Sequence, residues 1–317
     1  MKDVITIGEA MVTFNPVTKG PLKYVPSFDR KVGGAELNFA LGCSRLGLDA
    51  GWVSRLGNDE FGRYILNFVR GEGVDVSEVK LVDEYPTSLN FKEIMEDGSG
   101  RTFYYRKQSP TSTMTVESLN EEYFKQAKLL HITGVFPAVD PKNNLPIIKQ
   151  MVLLAKKHGL LVSFDPNIRL KLWSKDEARE ALVELLPDVD VFLTGADEAD
   201  ILLGVNEPTA IIEKCKEFGI SHIAIKQGEK GSVGYHNGQT IEAPPVPPKK
   251  VVDTVGAGDG FDAGFVYGVI NSWSLEKTLH FANTIGSMVV SVSGDNEGLP
   301  YIDDVRVQLG EKEFIER

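Results

Sequence analysis

The 317-residue sequence predicts an α/β protein with a mostly parallel sheet, helices on both of its faces, and a small β-sheet lid. Two observations carry that expectation. Short apolar, strand-like runs alternate with helical ones along most of the chain, the pattern of βαβ units whose helices cover a parallel sheet. Two segments, 11–33 and 85–109, break the alternation and are rich in Thr, Tyr, Phe and turn residues.

DVITIGE is an alternating apolar run ending at Gly8 and reads as the first core strand. ELNFALGCSRLG follows as a helix, AGWVSRLG as a strand and DEFGRYILNFVRGEG as a helix. The rhythm resumes with KLLHITG, IIKQMVLLAKKHG, LLVSFDPN, the helical periodicity from Glu177 to Leu186, VDVFLTG, ADILLG, IIEKCKEFG and HIAIKQG. Within 85–109, SLNFKEIMEDGSGRTFYYR places two alternating runs around the turn DGSG, a hairpin signal. Strands projecting from a doubly wound core fit best over the site, where they would exclude water. An edge hairpin without a functional role gives the same local pattern. PPVPPKK, 244–250, is a stiff connector too short to separate domains, so residues 1–317 are expected to form one domain.

Composition narrows the function classes. The net charge of −11 argues against a nucleic-acid partner, because such proteins usually carry a basic face. No apolar run approaches a membrane span, and MKDVITIGEA lacks the apolar stretch and cleavage site of a signal peptide. Cys43 and Cys215 are too few and too isolated for a disulfide framework or a zinc cluster, which points to a reducing cytoplasm. The sequence has no GxxxxGK[ST], HExxH, CxxC or GxSxG, and GAGDGF lacks the third glycine of a dinucleotide fingerprint.

Five stretches remain as candidate chemistry. In VDTVGAGDGFDAGF the N–H groups of Gly256, Ala257 and Gly258 could neutralise a transferring phosphoryl group while Asp259 takes a proton from the attacking hydroxyl. A first-turn acid that favours the helix N-terminus would look the same. In KVGGAELNFALGCSRLG, Gly33 and Gly34 let a ligand approach the backbone, and Asn38 one turn on could bind a sugar hydroxyl; a helix start that uses glycine is the plain alternative. SFDPNIRLKLW sets Asp165, Asn167 and Arg169 at the carboxyl end of a strand, where α/β sheets place ligands, although Arg169 could equally be a solvated surface residue. In FYYRK, Tyr104 and Arg106 share one strand face that could look down on a substrate or out to solvent. AIKQGEKGSVGY turns at Gly228 and Gly231, either to receive a nucleotide or as a plain hairpin, and HFANTIGSMVV reads as a helix with a small-residue side. Asp262 reads as a helix-face residue, and the five histidines as surface or packing groups.

GGAELNFALGCSRLG and DTVGAGDGFDAGF, in that order, resemble the two signatures of the PfkB, or ribokinase-like, carbohydrate kinases, and the likeness spans essentially the whole chain. The resemblance implies a ribokinase-like three-layer α/β/α core with a β-sheet lid. It implies transfer of the γ-phosphoryl group of ATP to a sugar hydroxyl with Mg²⁺, a monovalent cation being left open. Asp259 then matches the base, Gly256, Ala257 and Gly258 the anion hole, and Lys226, Gly228, Gly231, Asn283, Asn167 and Gly258 the nucleotide-binding positions. Within the family, FYYRKQSPTS and DPNIRLKLW look most like the 2-keto-3-deoxygluconate kinases, whose acid substrate gives Arg106, Arg169 and Tyr104 a carboxylate to bind. Fructokinase-like members share DPNxRxxLW. Where the family writes NxxE this chain has Gly195, so only Glu198 carries over, in an outer-sphere role toward the metal, and Asn90 stands where deoxygluconate kinases often have tyrosine. Lid sheets of this fold can pair, so a homo-oligomer is compatible. An idle sugar- or nucleotide-binding regulator is the alternative of a different class, and the intact GAGD argues against it.

Overall fold

The computed structural model describes residues 1–97 and 99–313. Gly98 of the DGSG turn and the last four positions of the expected 1–317 span lie outside the described residues.

The strands are β1 (Lys2–Ile7), β2 (Met11–Pro16), β3 (Phe28–Gly33), β4 (Ala50–Gly57), β5 (Val79–Val82), β6 (Ser88–Ile94), β7 (Gly100–Tyr105), β8 (Ala127–Thr133), β9 (Leu161–Asp165), β10 (Val191–Gly195), β11 (His222–Lys226), β12 (Ser232–His236) and β13 (Gln239–Ala243). The helices are α1 (Ala35–Arg45), α2 (Glu60–Gly71), α3 (Glu121–Phe124), α4 (Val135–Val139), α5 (Pro141–His158), α6 (Lys175–Val183), α7 (Ala196–Leu203), α8 (Pro208–Glu217), α9 (Ala257–Ile270), α10 (Leu275–Val289) and α11 (Ile302–Gln308).

Nine strands form one sheet in the order β13-β12-β11-β10-β9-β8-β1-β4-β5. From β5 to β11 every neighbouring pair is parallel, and β12 and β13 close one edge as antiparallel strands. Their apolar runs demand cover on both faces, and two separate cores supply it. One packs α1, α2, α9, α10 and α11 around Trp52, Phe39 and Phe265; the other packs α3 to α8 around Phe124, Phe136, Phe164 and Phe192. The expected three-layer α/β/α arrangement is therefore the observed one. Cys43 and Cys215 are buried and unpaired, and no helix among the described residues is long and apolar enough to cross a membrane.

The segments 11–33 and 85–109 supply the second, four-stranded sheet, ordered β3-β2-β6-β7. β2 runs parallel to β6 and antiparallel to β3, while β6 and β7 form the expected hairpin. One face carries the rings of Phe14, Phe28 and Phe91, with Phe14 stacked on Phe91 at 4.7 Å.

Asp59 joins the small sheet to the core. Its Oδ1 accepts the Gly62 N–H at 2.8 Å, capping α2, and the Thr87 hydroxyl at 2.8 Å; its Oδ2 accepts the Thr87 N–H at 2.8 Å, one residue before β6. These bonds hold the carboxyl below the usual aspartate range against the opposing effect of burial, which is the largest single influence. Asp59→Ala is expected to cost about 1–2 kcal/mol, a lost cap plus a loosened junction, read as a lower urea midpoint at neutral pH. An unchanged midpoint would contradict that role.

Candidate active site

A cavity of about 880 Å³ opens at the carboxyl ends of the parallel strands, beneath the small sheet. Its floor comes from residues that follow strands: Glu9 after β1, Val135 after β8, Asp165 at the end of β9, Glu198 after β10 and Lys226 at the end of β11. The small sheet contributes Met11, Asn90, Tyr104 and the adjoining Arg106. Gly34, Ala35 and Asn38 of the α1 start, 254–256, Gly258 and Asp259 of the α9 start, the loop 167–172 after β9, and Asp295 complete the wall.

The GAGD turn is built for an anion. Gly256 caps α9 at φ 79°, and a Cβ there would lie 2.0 Å from the Asp295 carbonyl oxygen, so only glycine fits. A Cβ on Gly258 would meet only the Lys226 ammonium, at 3.8 Å, which leaves room above the first turn. First-turn N–H groups have no carbonyl partner four residues back, and the helix dipole adds partial positive charge.

Asp259, in that same turn, is 8% exposed and lines the cavity. Its Oδ2 accepts the Asn38 side-chain amide at 2.8 Å, and its Oδ1 accepts that of Asn167 at 3.4 Å. Burial pushes the carboxyl up to about 6, opposed by the Asn38 hydrogen bond and the charge of Arg169. A group with that value is ionised at neutral pH and close to the condition for efficient proton transfer. Asn167 itself holds φ 40°, an uncommon backbone for a residue with a side chain, fixed by its N–H to Asp165 Oδ1 at 3.1 Å.

Beneath this turn lies a buried charge cluster that the sequence does not reveal. Lys226 Nζ sits 2.9 Å from Asp165 Oδ2 and 3.1 Å from Asp262 Oδ1. Asp262 is therefore not an open helix-face residue: it is 1% exposed, with both carboxylate oxygens within reach of the Lys226 ammonium. Burial drives the Asp262 carboxyl well up, whereas Asp165, equally buried, is held below its usual range by Lys226. Glu198 accepts the Ile168 N–H at 2.9 Å and the Gly195 N–H at 3.1 Å, pinning the loop after β9 to the α7 N-terminus. Burial, then the nearby Asp165, raises its carboxyl.

In the roof, Arg106 donates to Glu9, a 2% exposed carboxylate that also accepts the Ser88 hydroxyl at 2.5 Å. The Arg106 Nε and the Asn90 Oδ1 are buried without protein partners. Glu9 was not legible as a site residue, because its partners lie 79 and 97 positions away. Tyr104 carries the Arg106 guanidinium 5.7 Å and the Lys171 ammonium 5.8 Å from its ring centre. Arg169 is exposed at the cavity wall, with no ion-pair partner among the described residues.

Of the residues singled out from sequence, Gly34, Asn38, Asn90, Tyr104, Arg106, Asn167, Arg169, Glu198, Lys226, Gly256, Gly258 and Asp259 converge on this one cavity, with Ala257 inside its α9 turn. Gly33 does not line it; a Cβ there would strike Asp295 Oδ2 and Thr13 Oγ1, so its smallness serves packing. Gly228 and Gly231 form the β11–β12 hairpin turn, with the Gln227 N–H donating to the Gly231 carbonyl at 2.9 Å, and lie outside the lining. Asn283 donates to the Ala243 and Pro244 carbonyls at 3.4 and 3.1 Å, also outside it. Among the described residues no three acidic, His or Cys side chains cluster as a metal cage, and both Glu198 oxygens already accept backbone N–H groups. That donor set fits a Mg²⁺ ion carried on nucleotide phosphates and water, with Glu198 beyond its first shell.

The Asn38 bond predicts a measurable shift. Carboxyl-carbon NMR of wild-type protein should show Asp259 titrating near pH 6; Asn38→Ala removes a bond that favours the ionised form, so the midpoint should rise. A midpoint that stays put would show that Asn38 does not set this charge.

Comparison with known proteins agrees with the geometry. The model of the pfkB family carbohydrate kinases matches residues 1–302. A 2-dehydro-3-deoxygluconokinase of Bacillus subtilis is 36% identical over 310 residues, covering 94% of this chain and 92% of the relative. The structure of 2-dehydro-3-deoxygluconokinase from Thermotoga maritima superposes with a TM-score of 0.87 at 25% identity, covering 96% of this chain and 97% of that one. An uncharacterized sugar kinase from Pyrococcus horikoshii, in complex with ATP, superposes with a TM-score of 0.81 at 26% identity, covering 96% of this chain and 97% of that one. With its nine-stranded core, its four-stranded roof and GAGD at a helix start, this chain belongs to the pfkB family of carbohydrate kinases.

Proposed function

We propose that the protein transfers the γ-phosphoryl group of ATP to the terminal hydroxyl of 2-keto-3-deoxygluconate, giving 2-keto-3-deoxy-6-phosphogluconate. The observation that carries the reading is the buried Asp259 carboxylate, raised to about 6, in the same helical turn as the N–H groups of Gly256, Gly258 and Ala257, the last making only a long 3.4 Å bond to the Thr254 carbonyl. In this reading Asp259 takes the hydroxyl proton as the sugar oxygen bonds to the γ-phosphorus and the bond to the ADP oxygen breaks. The N–H groups of Gly256, Ala257 and Gly258 and the Lys226 ammonium receive the charge that develops on the phosphoryl oxygens. A bound Mg²⁺ would supply further neutralisation of the phosphates, with Glu198 oriented toward its water shell. Asn167 keeps Asp259 aimed at the cavity. The rest of the nucleotide would run toward the Gly228–Gly231 turn and Asn283, where a Cβ on Gly228 meets no atom within 4 Å. No monovalent cation is assigned a role. The small sheet acts as the lid of a single working unit spanning the chain. The buried, unpaired thiols suit a reducing cytoplasm.

The acid-sugar assignment rests on charge. Glu9 inside the cavity would repel a substrate carboxylate, and its pairing with Arg106 cancels that repulsion. Arg169 and the neighbouring Lys171 then stand as the free cations on the wall, and Asn90 Oδ1 and Arg106 Nε as polar atoms awaiting a partner. The similarity to 2-dehydro-3-deoxygluconokinases points the same way. One observation favours a neutral ketose such as fructose: because Arg106 is already engaged by Glu9, the roof offers less spare positive charge than an unpaired arginine would.

The deciding experiment follows ADP release with ATP and Mg²⁺ on 2-keto-3-deoxygluconate, its galacto epimer, fructose, ribose and gluconate. The keto-deoxy acids should be preferred over fructose by roughly a hundredfold in kcat/KM, about 3 kcal/mol. Arg169→Ala should erase most of that preference, raising KM for the acid roughly tenfold or more while changing KM for fructose less than about threefold. Preference for fructose or ribose would discard the carboxylate assignment, and silence on every sugar would move a non-catalytic binding role to the front.

A further inference from the structure

Lys92 is not in the cavity wall, and the mechanism above does not use it. It projects from β6 on the same face as Ser88 and Asn90, since alternate residues of a strand share a face. Ser88 reaches Glu9 and Asn90 reaches the cavity, so the third member of the row points to the same side, against Asp295 at the cavity's edge. There its Nζ meets Asp295 Oδ1 at 2.7 Å and lies 4.0 Å from Asp253 Oδ2. All three side chains are mostly buried, at 13%, 14% and 21% exposure, so the contact is screened less than a surface pair.

Both acids belong to the backbone that shapes the GAGD turn. Asp253 Oδ1 accepts the Val255 N–H at 3.1 Å and its Oδ2 accepts the Gly294 N–H at 3.3 Å, which stitches the approach to α9 onto the loop 293–297. The Asp295 carbonyl packs directly on Gly256, the capping residue of α9. The same loop grips the small sheet a second time, through Lys31 Nζ on the Ser293 carbonyl at 2.7 Å and Asn296 Nδ2 on the Val32 carbonyl at 2.6 Å.

We infer that Lys92 is a positioning residue that locks the small sheet onto the phosphoryl-binding turn by bridging Asp295 and Asp253. One ammonium ion thereby fixes three pieces of chain that are far apart in sequence: the strand above the sugar, the turn at the α9 start, and the loop that carries Asp295. Its removal leaves two partly buried carboxylates facing each other, which repel and loosen Gly256 and the N–H groups after it. The consequence falls on transfer more than on sugar binding, because the contacts to the sugar come from other residues.

This inference rests on the kinase reading, and the experiment separates the two. Steady-state kinetics are measured for Lys92→Met, Lys92→Arg, Asp295→Asn and the Lys92→Met/Asp295→Asn pair on whichever sugar the wild-type protein phosphorylates. Lys92→Met should lower kcat by about 10- to 100-fold, the scale of a small misplacement of reacting groups, with KM for the sugar changed less than about threefold. Lys92→Arg should retain kcat within about threefold, and the double variant should be no worse than Lys92→Met alone, as expected for one shared interaction. Amide hydrogen exchange over 253–258 supplies a reading that needs no turnover: it should speed up in Lys92→Met, while exchange in β8 and β9 stays as in the wild type. Wild-type kcat in Lys92→Met, multiplicative losses in the double variant, or unchanged exchange over 253–258 would overturn the inference. If no sugar is phosphorylated, the kinase reading fails on its own, and the exchange measurement still decides for or against the bridge.

Discussion

A carboxylate kept out of water next to the positive end of a helix is the constraint around which this molecule is arranged. In the proposed reaction Asp259 has to be ionised to take a proton, yet burial opposes its charge and moves the carboxyl up to about 6. Two amides hold it in place, Asn38 from the first helix and Asn167 from a loop with a left-handed backbone. Those two donors come from near the start and from the middle of the sequence, and the carboxylate they hold from its last quarter. The fold has to carry α1, β9 and α9 to one point before the site exists, and the parallel sheet does so by ending its strands on a common edge.

Charge is balanced in two tiers. In the deeper one, a single lysine at the end of β11 faces Asp165 and Asp262, with Glu198 close by. Burial first, and then the crowding of three acids around one ammonium ion, drives Asp262 and Glu198 up, while Lys226 holds Asp165 down. In the upper tier, Glu9 and Arg106 cancel within the roof, leaving Arg169 and Lys171 as the positive groups on the open wall. An acidic protein can in this way hold an anionic substrate: the surplus of negative charge is spread over the surface, and the cavity is shielded by pairing.

Much of the architecture was legible because its signals are local. Strand and helix periodicity, the paired runs of the β6–β7 hairpin, and the GGAELN and GAGD helix starts each lie within about twenty residues, and each stands where expected. What escaped is pairing across long separations. Asp262 looked like an exposed helix position, since nothing in DGFDAGF reveals that Lys226 lies 36 residues upstream and covers it. Lys92 and Asp295 are 203 positions apart, and neither stands in a motif. Gly33 shows the converse: a glycine beside a ligand and a glycine crowded by side chains, here those of Asp295 and Thr13, read alike in sequence, and only the neighbours tell them apart.

The central claim is that Asp259 performs the proton transfer and that its surroundings exist to position it. The most direct measurement pairs calorimetric binding of 2-keto-3-deoxygluconate with ADP release in Asp259→Asn, an isosteric change that keeps the Asn38 contact available but removes the proton acceptor. The account predicts sugar affinity within a few fold of wild type and turnover lower by about a thousandfold, within the range general-base catalysis supplies. Turnover near the wild-type level with affinity intact would remove Asp259 from the chemistry.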